Sequence, residues 1–349
     1  MNELANNIYE IIKDYRNHDG IYITPDYIIE WANQFGGDAL LVLTELNKIL
    51  PETYISRDKA KQNILSHLES YLKLYSYTNI TTFLIETQFI DCQLPHKSQP
   101  AILNLLEEVL MENYQESYKK YIDYPKKNYI YFDDVLASGS TIGKHCVEFL
   151  ITKDDKEISF AQKLENNEIN LSISVFCMHI WGFEFQKFRI SKTPTLSEKI
   201  SKKINWFWNY EVQNHAKFNN QSLNVARPIK LANSKINGYL ENLDATKYED
   251  YAYRKINTPV KEVFFTTPEN RINFENILIE KGIDIINMIQ GDVKPNIRPL
   301  GLINPNYKIF GLGTHFFTWR NIPNNSPLVY WWEVSGHNWK PLFSVANRG

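Results

Sequence analysis

The residue types best suited to chemistry crowd into one stretch: Ile130-Tyr131-Phe132-Asp133-Asp134-Val135-Leu136-Ala137-Ser138-Gly139-Ser140-Thr141-Ile142. An apolar run, two adjacent acids, four small residues and a helix start follow one another, an order that suits a phosphorylated sugar. Unpaired N–H groups and the positive dipole end of a helix attract a phosphate monoester. Ala137, Ser138, Gly139 and Ser140 are small enough for the backbone to approach it, and Ser138, Ser140 and Thr141 add hydroxyl donors. Asp133 and Asp134 stand at the carboxyl end of the apolar run, where open α/β sheets take ligands, and their carboxylates can accept from vicinal ribose hydroxyls. The structural alternative is a helix-capping loop that acids happen to flank. A nucleotide-triphosphate P-loop is excluded: only Ser140, Thr141 and Ile142 separate Gly139 from Gly143, and His145 rather than Ser or Thr follows Lys144.

The second group lies near the C-terminus. Asn321, Asn324 and Asn325 with Pro323 form a turn-rich segment whose amides can read base edges or cap backbone. Trp319, Trp331 and Trp332 either stack a base or fill a core. Arg320 has a clearer functional reading, because a turn needs no arginine: it can pair with Asp133, Asp134 or a phosphate.

These residues need a scaffold. Residues 1 to about 75 read as helical: Ile8, Ile11, Ile12 and Tyr15 share a face, and Thr24 caps a helix opening at Pro25. Gly36-Gly37 breaks that helix, Leu40–Leu50 forms the next, Pro51 stops it, and Ser56 caps a longer one. Ile80–Ile85 reads as a strand, followed by a loop to Pro100 and a helix from Ala101. Tyr129–Phe132 is a buried strand, Thr141–Leu150 a helix, and Glu168–Met178 a third strand. Strand, helix, strand, helix, strand is the rhythm of a parallel sheet. Further on, Ile204–Val212 reads as a strand, Leu231–Leu243 and Pro268–Asn287 as helices, and Asp244–Tyr253 as a loop. The last fifty residues read as short strands and turns.

Composition narrows the function classes. The 349 residues suggest about two domains at roughly 150 residues each. A net charge of -2 removes the argument from a basic domain for direct sequence-specific nucleic-acid binding. The first helical segment clusters only Arg57, Lys59 and Lys61, too few for a DNA-recognition helix. No apolar run is long enough to span a membrane. The polar N-terminus is unlike a signal peptide, and Cys92, Cys146 and Cys177 form neither a disulfide framework nor a zinc pattern. Together these place the chain in the cytoplasm with no protein-held metal expected.

The stretch at 130–142 resembles the phosphoribosyl-pyrophosphate (PRPP) signature of type I phosphoribosyltransferases. The resemblance implies that Asp133 and Asp134 contact the ribose hydroxyls and act in catalysis, and that Ala137 through Thr141 cradle the 5′-phosphate. It also implies a pyrophosphate-binding loop after the first strand of the sheet, a place held here by Pro95-His96-Lys97-Ser98-Gln99-Pro100, where Lys97 would neutralise pyrophosphate and Ser98 donate to it. Ala137 stands where purine-salvage relatives usually carry an aspartate, which puts a conventional purine acceptor in doubt.

The resemblance extends along most of the chain. Gly311-Leu312-Gly313-Thr314-His315-Phe316-Phe317-Thr318-Trp319-Arg320-Asn321, Trp331-Trp332, Trp339-Lys340-Pro341-Leu342-Phe343, Pro268-Glu269-Asn270-Arg271 with Phe274-Glu275, and Trp31-Ala32-Asn33-Gln34-Phe35 are similar to the phosphoribosyltransferase-like effectors of bacterial conflict systems, the PRTase-CE type. That likeness implies an α/β fold: a type I phosphoribosyltransferase-like parallel sheet with flanking helices, an N-terminal helical segment and a C-terminal strand- and turn-rich extension. The corresponding regions are 1–77, 78–215 and 216–349, the last completing the core on the acceptor side. It further implies an anti-phage effector, for example beside a retron or cyclic-nucleotide module, toxic through phosphoribosyl transfer or N-glycosidic chemistry. Its ligand would be PRPP or a nucleotide with Mg²⁺, and a defence-system protein or ribonucleoprotein would be its partner, with no membrane involved. A non-catalytic sensor or a partner-binding subunit is the alternative.

Overall fold

The computed structural model describes residues 1–214, 222–243, 252–290, 293–303, 308–333 and 338–345. In chain order the elements are α1 (Asn2–Ile12), α2 (Pro25–Asn33), α3 (Ala39–Thr53), β1 (Tyr54–Ile55), α4 (Arg57–Leu74), α5 (Ile80–Ile85), β2 (Thr87–Ile90), α6 (Ser98–Tyr114) and β3 (Asn128–Leu136). Then come α7 (Ser140–Ile151), α8 (Phe160–Glu165), β4 (Asn170–His179), α9 (Ile180–Ser191), α10 (Ile200–Lys203) and β5 (Ile204–Val212). The remainder is α11 (Ser234–Glu241), α12 (Pro268–Asn287), β6 (Ile297–Arg298), β7 (Gly301–Leu302), β8 (Phe317–Thr318) and α13 (Leu328–Trp331). They form two compact units, 58–211 and 1–57 with 212–349.

The unit at 58–211 carries a parallel sheet of order β2-β3-β4-β5 flanked by helices, the α/β class expected. β2 pairs parallel with β3, and β3 with β4, in a register that sets Asp133 against Val175. Parallel neighbours require crossovers, which α6 supplies between β2 and β3, and α7 with α8 between β3 and β4. β3 and β4 are buried on both faces, and the two serines that alternate with apolar residues in β4, Ser172 and Ser174, meet the hydroxyls of Tyr75 and Tyr71. Tyr129 and Tyr131 share one core with Ile142, Cys146 and Leu150 of α7. On the opposite face Phe132 stacks on His67 and meets Tyr71 edge-on, both from α4.

Here one expectation fails. Ile80–Ile85 is helix α5, and the strand follows it at Thr87–Ile90. The β-branched run favours a strand, but Asn79 caps a helix by accepting from Thr82 N at 2.9 Å. The turn so formed buries Phe83 against Tyr71 and Tyr77. α6 also begins earlier than expected, at Ser98.

The other unit joins the two ends of the chain. Thr24 caps α2 with Pro25 at its first position, as the sequence suggests. Pro51 does not stop α3; it sits in the last turn, and the helix runs on to Thr53. β1 pairs parallel with β8, and Trp319 N donates to Ile55 O at 2.8 Å. Trp31 is fully buried and donates its indole N–H to Val329 O at 3.0 Å. Trp319, Trp331 and Trp332 are all buried, so they fill the core, and Trp331 donates to Ser326 O at 2.8 Å. α12 has the bounds read from sequence, capped by Thr267. Residues 244–251 of the expected loop lie outside the described residues.

A buried ionic cluster closes this core. Arg271 Nε donates to Glu275 at 2.9 Å and its Nη1 to Glu262 at 2.8 Å, while Nη2 serves Leu223 O and Val225 O. Arg254 binds the other oxygen of Glu275 at 3.0 Å. With Glu275 wholly buried, removing its charge takes a carboxylate from Arg254 and from Arg271, which keeps Glu262. Glu275→Gln is expected to lower the folding free energy by about 3–5 kcal/mol, read as a fall in the urea midpoint. A midpoint within error of wild type would refute the cluster's structural role.

Candidate functional site

The acid pair lies near the carboxyl end of β3, Asp134 two residues before its last, and both residues are buried. Charge in such a place requires hydrogen bonds, and Asp133 collects four. Ser98 Oγ donates to Oδ1 at 2.6 Å, and Asp134 N donates to the same oxygen at 2.9 Å. Gln93 Nε2 reaches Oδ2 at 2.8 Å, and the Tyr131 hydroxyl lies 3.2 Å from it. Asp134 Oδ1 accepts from Val135 N at 2.8 Å. Burial first, and the neighbouring Asp134 second, push the Asp133 carboxyl up to about 7, against the donors that favour its anion.

Two helix N-termini flank the pair. α6 starts at Ser98, with the exposed Lys97 as its cap residue. Gln99, one residue on, is fully buried: its Oε1 accepts from Cys92 N and Gln93 N at 2.9 and 3.1 Å, and its Nε2 donates to Phe132 O at 3.2 Å. That one side chain fastens the loop after β2 to β3. α7 starts at Ser140, after Gly139 turns the chain at a φ of 70°. This left-handed step is one that glycine takes at little cost. Ser140 and Thr141 are exposed, and the first-turn N–H groups of α7 have no earlier helical carbonyl to bond.

The loop is shaped from behind by α9. Gln186, almost fully buried, donates Nε2 to Ser138 O at 2.8 Å. Gly182 lies so close that a Cβ there would overlap Ala137 O. Ser138 Oγ turns back towards Ser140, 3.2 Å from its hydroxyl.

The structure thus joins Ser98 to Asp133 by a hydrogen bond, with Lys97 beside Ser98 at the start of α6, Asp134 next along β3, and Ala137, Ser138, Gly139, Ser140 and Thr141 in the turn from β3 into α7. Ser98 points its hydroxyl at Asp133 rather than outwards. Arg320 and Asn321 belong to the other unit. There Arg320 Nη1 lies 3.4 Å from His18 Nε2, and Asn321 closes a turn by accepting from Thr318 N at 2.9 Å through its carbonyl.

Sequence reasoning missed Gln93, Gln99, Tyr131 and His145. Only Tyr131 had a signal, since two residues before Asp133 on a strand is the same face. Its hydroxyl accepts from Gln93 Nε2 at 2.7 Å and lies 3.0 Å from His145 Nδ1. Burial lowers the pKa of His145 and raises that of Tyr131. Cys92 is held up at about 11, by burial and then by Asp91 and Asp133, so its thiol stays protonated. Among the described residues no group of three or more His, Cys, Asp or Glu is placed to hold a metal ion, and no helix is long and apolar enough to cross a membrane.

Two outcomes follow. Asp133 has a folded pKa above the roughly 3.9 of an unfolded aspartate. Its contribution to stability is therefore complete below that value and is lost as pH rises through about 7. Asp133→Asn should gain stability relative to wild type between pH 5 and pH 8, by at least about 1 kcal/mol across the window. A difference between the two urea curves that is independent of pH would contradict this. Gly182→Ala should cost about 1–3 kcal/mol by pushing the loop off α9, and an unchanged melting temperature would count against that seat.

A family model described as PRTase-CE matches residues 28–345. No curated protein and no solved structure matches the chain.

Proposed function

This chain belongs to the PRTase-CE family, and we propose that its acid-pair loop binds the phosphorylated ribose of PRPP or of a nucleotide. The observation that carries this reading is the pairing of two helix N-termini, at Ser98 and Ser140, on either side of a buried acid pair at the ends of adjacent parallel strands. The α7 turn, with Ser138, Gly139, Ser140 and Thr141, would take the 5′-phosphate on backbone N–H and hydroxyl donors. The turn opening α6, with Lys97, would take the pyrophosphate. Asp133 and Asp134 would accept from the ribose hydroxyls and orient the ring.

Magnesium would enter this reading as part of the ligand, where it would supply charge neutralisation of the leaving group. Asp133, with donors on both oxygens, fits a metal brought by the ligand and not held by this carboxylate. In phosphoribosyl transfer the ribosyl carbon becomes an oxocarbenium ion as pyrophosphate departs. The side chains of this site would contribute position and electrostatic stabilisation.

The family supports a biological role as an effector of a bacterial anti-phage system, whose toxicity a partner protein or ribonucleoprotein restrains. Transfer or N-glycosidic cleavage would be the toxic chemistry. A second reading, ligand sensing without turnover, draws on the four hydrogen bonds that already occupy Asp133.

Calorimetric titration with PRPP and Mg²⁺ tests the site. Wild type is expected to bind. Asp133→Ala with Asp134→Ala should weaken binding by about 100-fold or more, since each hydrogen bond to a charged group is worth about 1.5–3 kcal/mol. Absence of heat with wild type would end both ligand readings. Where binding occurs, release of pyrophosphate with candidate acceptors marks an enzyme and its absence marks a sensor. Expression without the partner should arrest growth, and the double variant should relieve the arrest.

A further inference from the structure

Tyr131 joins the buried Asp133 to the half-exposed His145. Its hydroxyl lies 3.2 Å from Asp133 Oδ2 and 3.0 Å from His145 Nδ1, and it accepts from Gln93 Nε2 at 2.7 Å. Since Gln93 can only donate there, the single hydroxyl proton must go to Asp133 or to His145. The remaining donors to Asp133 are Ser98 and Asp134 N on Oδ1 and Gln93 Nε2 on Oδ2, and the Gln93 amide can only donate. Tyr131 is therefore the contact through which a proton on Asp133 can be handed on.

We propose that Tyr131 and His145 form a hydrogen-bonded proton relay between Asp133 and solvent. The two end states balance. With Asp133 protonated on Oδ2, that proton is donated to Tyr131, Tyr131 donates to His145 Nδ1, and the imidazole carries its proton on Nε2. With Asp133 ionised, Tyr131 donates to Asp133, and His145 donates Nδ1–H to the Tyr131 oxygen. Passage from the first state to the second moves one proton across each link and releases one from His145 Nε2 to water. The two ring nitrogens thus report the state of a carboxyl that solvent does not reach.

Other charges face the relay. On β3 there is Asp134, in the loop after β2 are Asp91 and Cys92, and on α7 are Lys144 and Glu148. Asp134 opposes ionisation of Asp133, Asp91 holds up the Cys92 thiol, and Lys144 and Glu148 act on His145 in opposite senses. The raised Asp133 and lowered His145 leave both groups able to be neutral near neutral pH. As far as the relay serves ligand capture, it rests on the ribose-phosphate reading above: a hydroxyl donated to Asp133 favours the anion and expels the proton through His145.

The test is nitrogen NMR of the full chain labelled at histidine, with the His145 signals assigned by their loss in His145→Gln. Between pH 5.5 and 8.5 His145 is expected to pass from the Nε2–H to the Nδ1–H tautomer. The switch should vanish in Tyr131→Phe, and also in Asp133→Asn, which keeps the test alive if the first variant fails to fold. A wild-type His145 whose tautomer does not change with pH, or one that switches equally in both variants, would overturn the relay. Ribose 5-phosphate should then drive His145 towards Nδ1–H at a pH where the tautomers are mixed. Binding of ribose 5-phosphate without that change overturns the coupling to the ligand. A pH switch that persists when ribose 5-phosphate fails to bind supports the relay and removes the ribose-phosphate reading instead.

Discussion

A carboxylate shut away from water organises this site. Burying Asp133 would be prohibitive without partners, and those partners come from three places: Gln93 in the loop after β2, Ser98 opening α6, and Tyr131 and the Asp134 N–H of β3 itself. One acid thereby fixes where the β2–α6 loop lies relative to the end of β3. Gln99 reinforces the same link from below through Phe132 O. The geometry of both helix N-termini depends on that link, because α6 begins at the residue that donates to Asp133 and α7 begins a few residues beyond it. Burial and the adjacent Asp134 still leave the anion disfavoured, a local cost of the kind concentrated at functional sites.

What could be read from sequence followed from how local each signal was. The stretch 130–142 was legible because strand, acids, small loop and helix start are contiguous, and each has one dominant physical use. α12 was legible for the same reason, with Thr267, Pro268 and a long amphipathic run in order. The strand β2 was not: Ile80–Ile85 has strand composition, but the Asn79 cap and the packing of Phe83 beneath Tyr71 decide for helix. The assembly of 1–57 with 212–349 was not legible either. It rests on contacts such as Trp31 to Val329 O and Tyr15 to Phe343, across some three hundred residues of chain. Gln93 and Gln99 carried no signal at all, since glutamine in a loop or first helical turn is ordinarily solvated.

The second unit shows why residue type alone misleads. Arg271 and Glu275 stand four apart on α12, a spacing that on an exposed helix face is worth a few tenths of a kcal/mol. They are instead fully buried, with Glu262 and Arg254 completing the cluster and two backbone carbonyls sharing the guanidinium. For Trp319, Trp331 and Trp332 the sequence leaves a stacking platform and a core filler both open, and all three are buried. Their indole N–H groups explain their place better: Trp31 and Trp339 both donate to Val329 O, and Trp331 to Ser326 O. A large apolar ring that also satisfies a buried carbonyl suits a core built from short strands and turns.

The charge balance now has a structural counterpart. The site offers few formal positive charges: Lys97 stands at one helix start, and the other presents backbone N–H groups and hydroxyls. Such donors act within a turn's length and do not extend as a field across the surface. α9 holds the loop from behind through Gln186 and the absent side chain of Gly182, so its curvature is set before any anion arrives. A preformed, short-range cradle beside two acids disfavours a polyanion, whose neighbouring phosphates would meet Asp133 and Asp134. The ribose-phosphate reading proposed above is consistent with this, since a phosphorylated sugar pairs a compact phosphate with hydroxyls that donate hydrogen bonds.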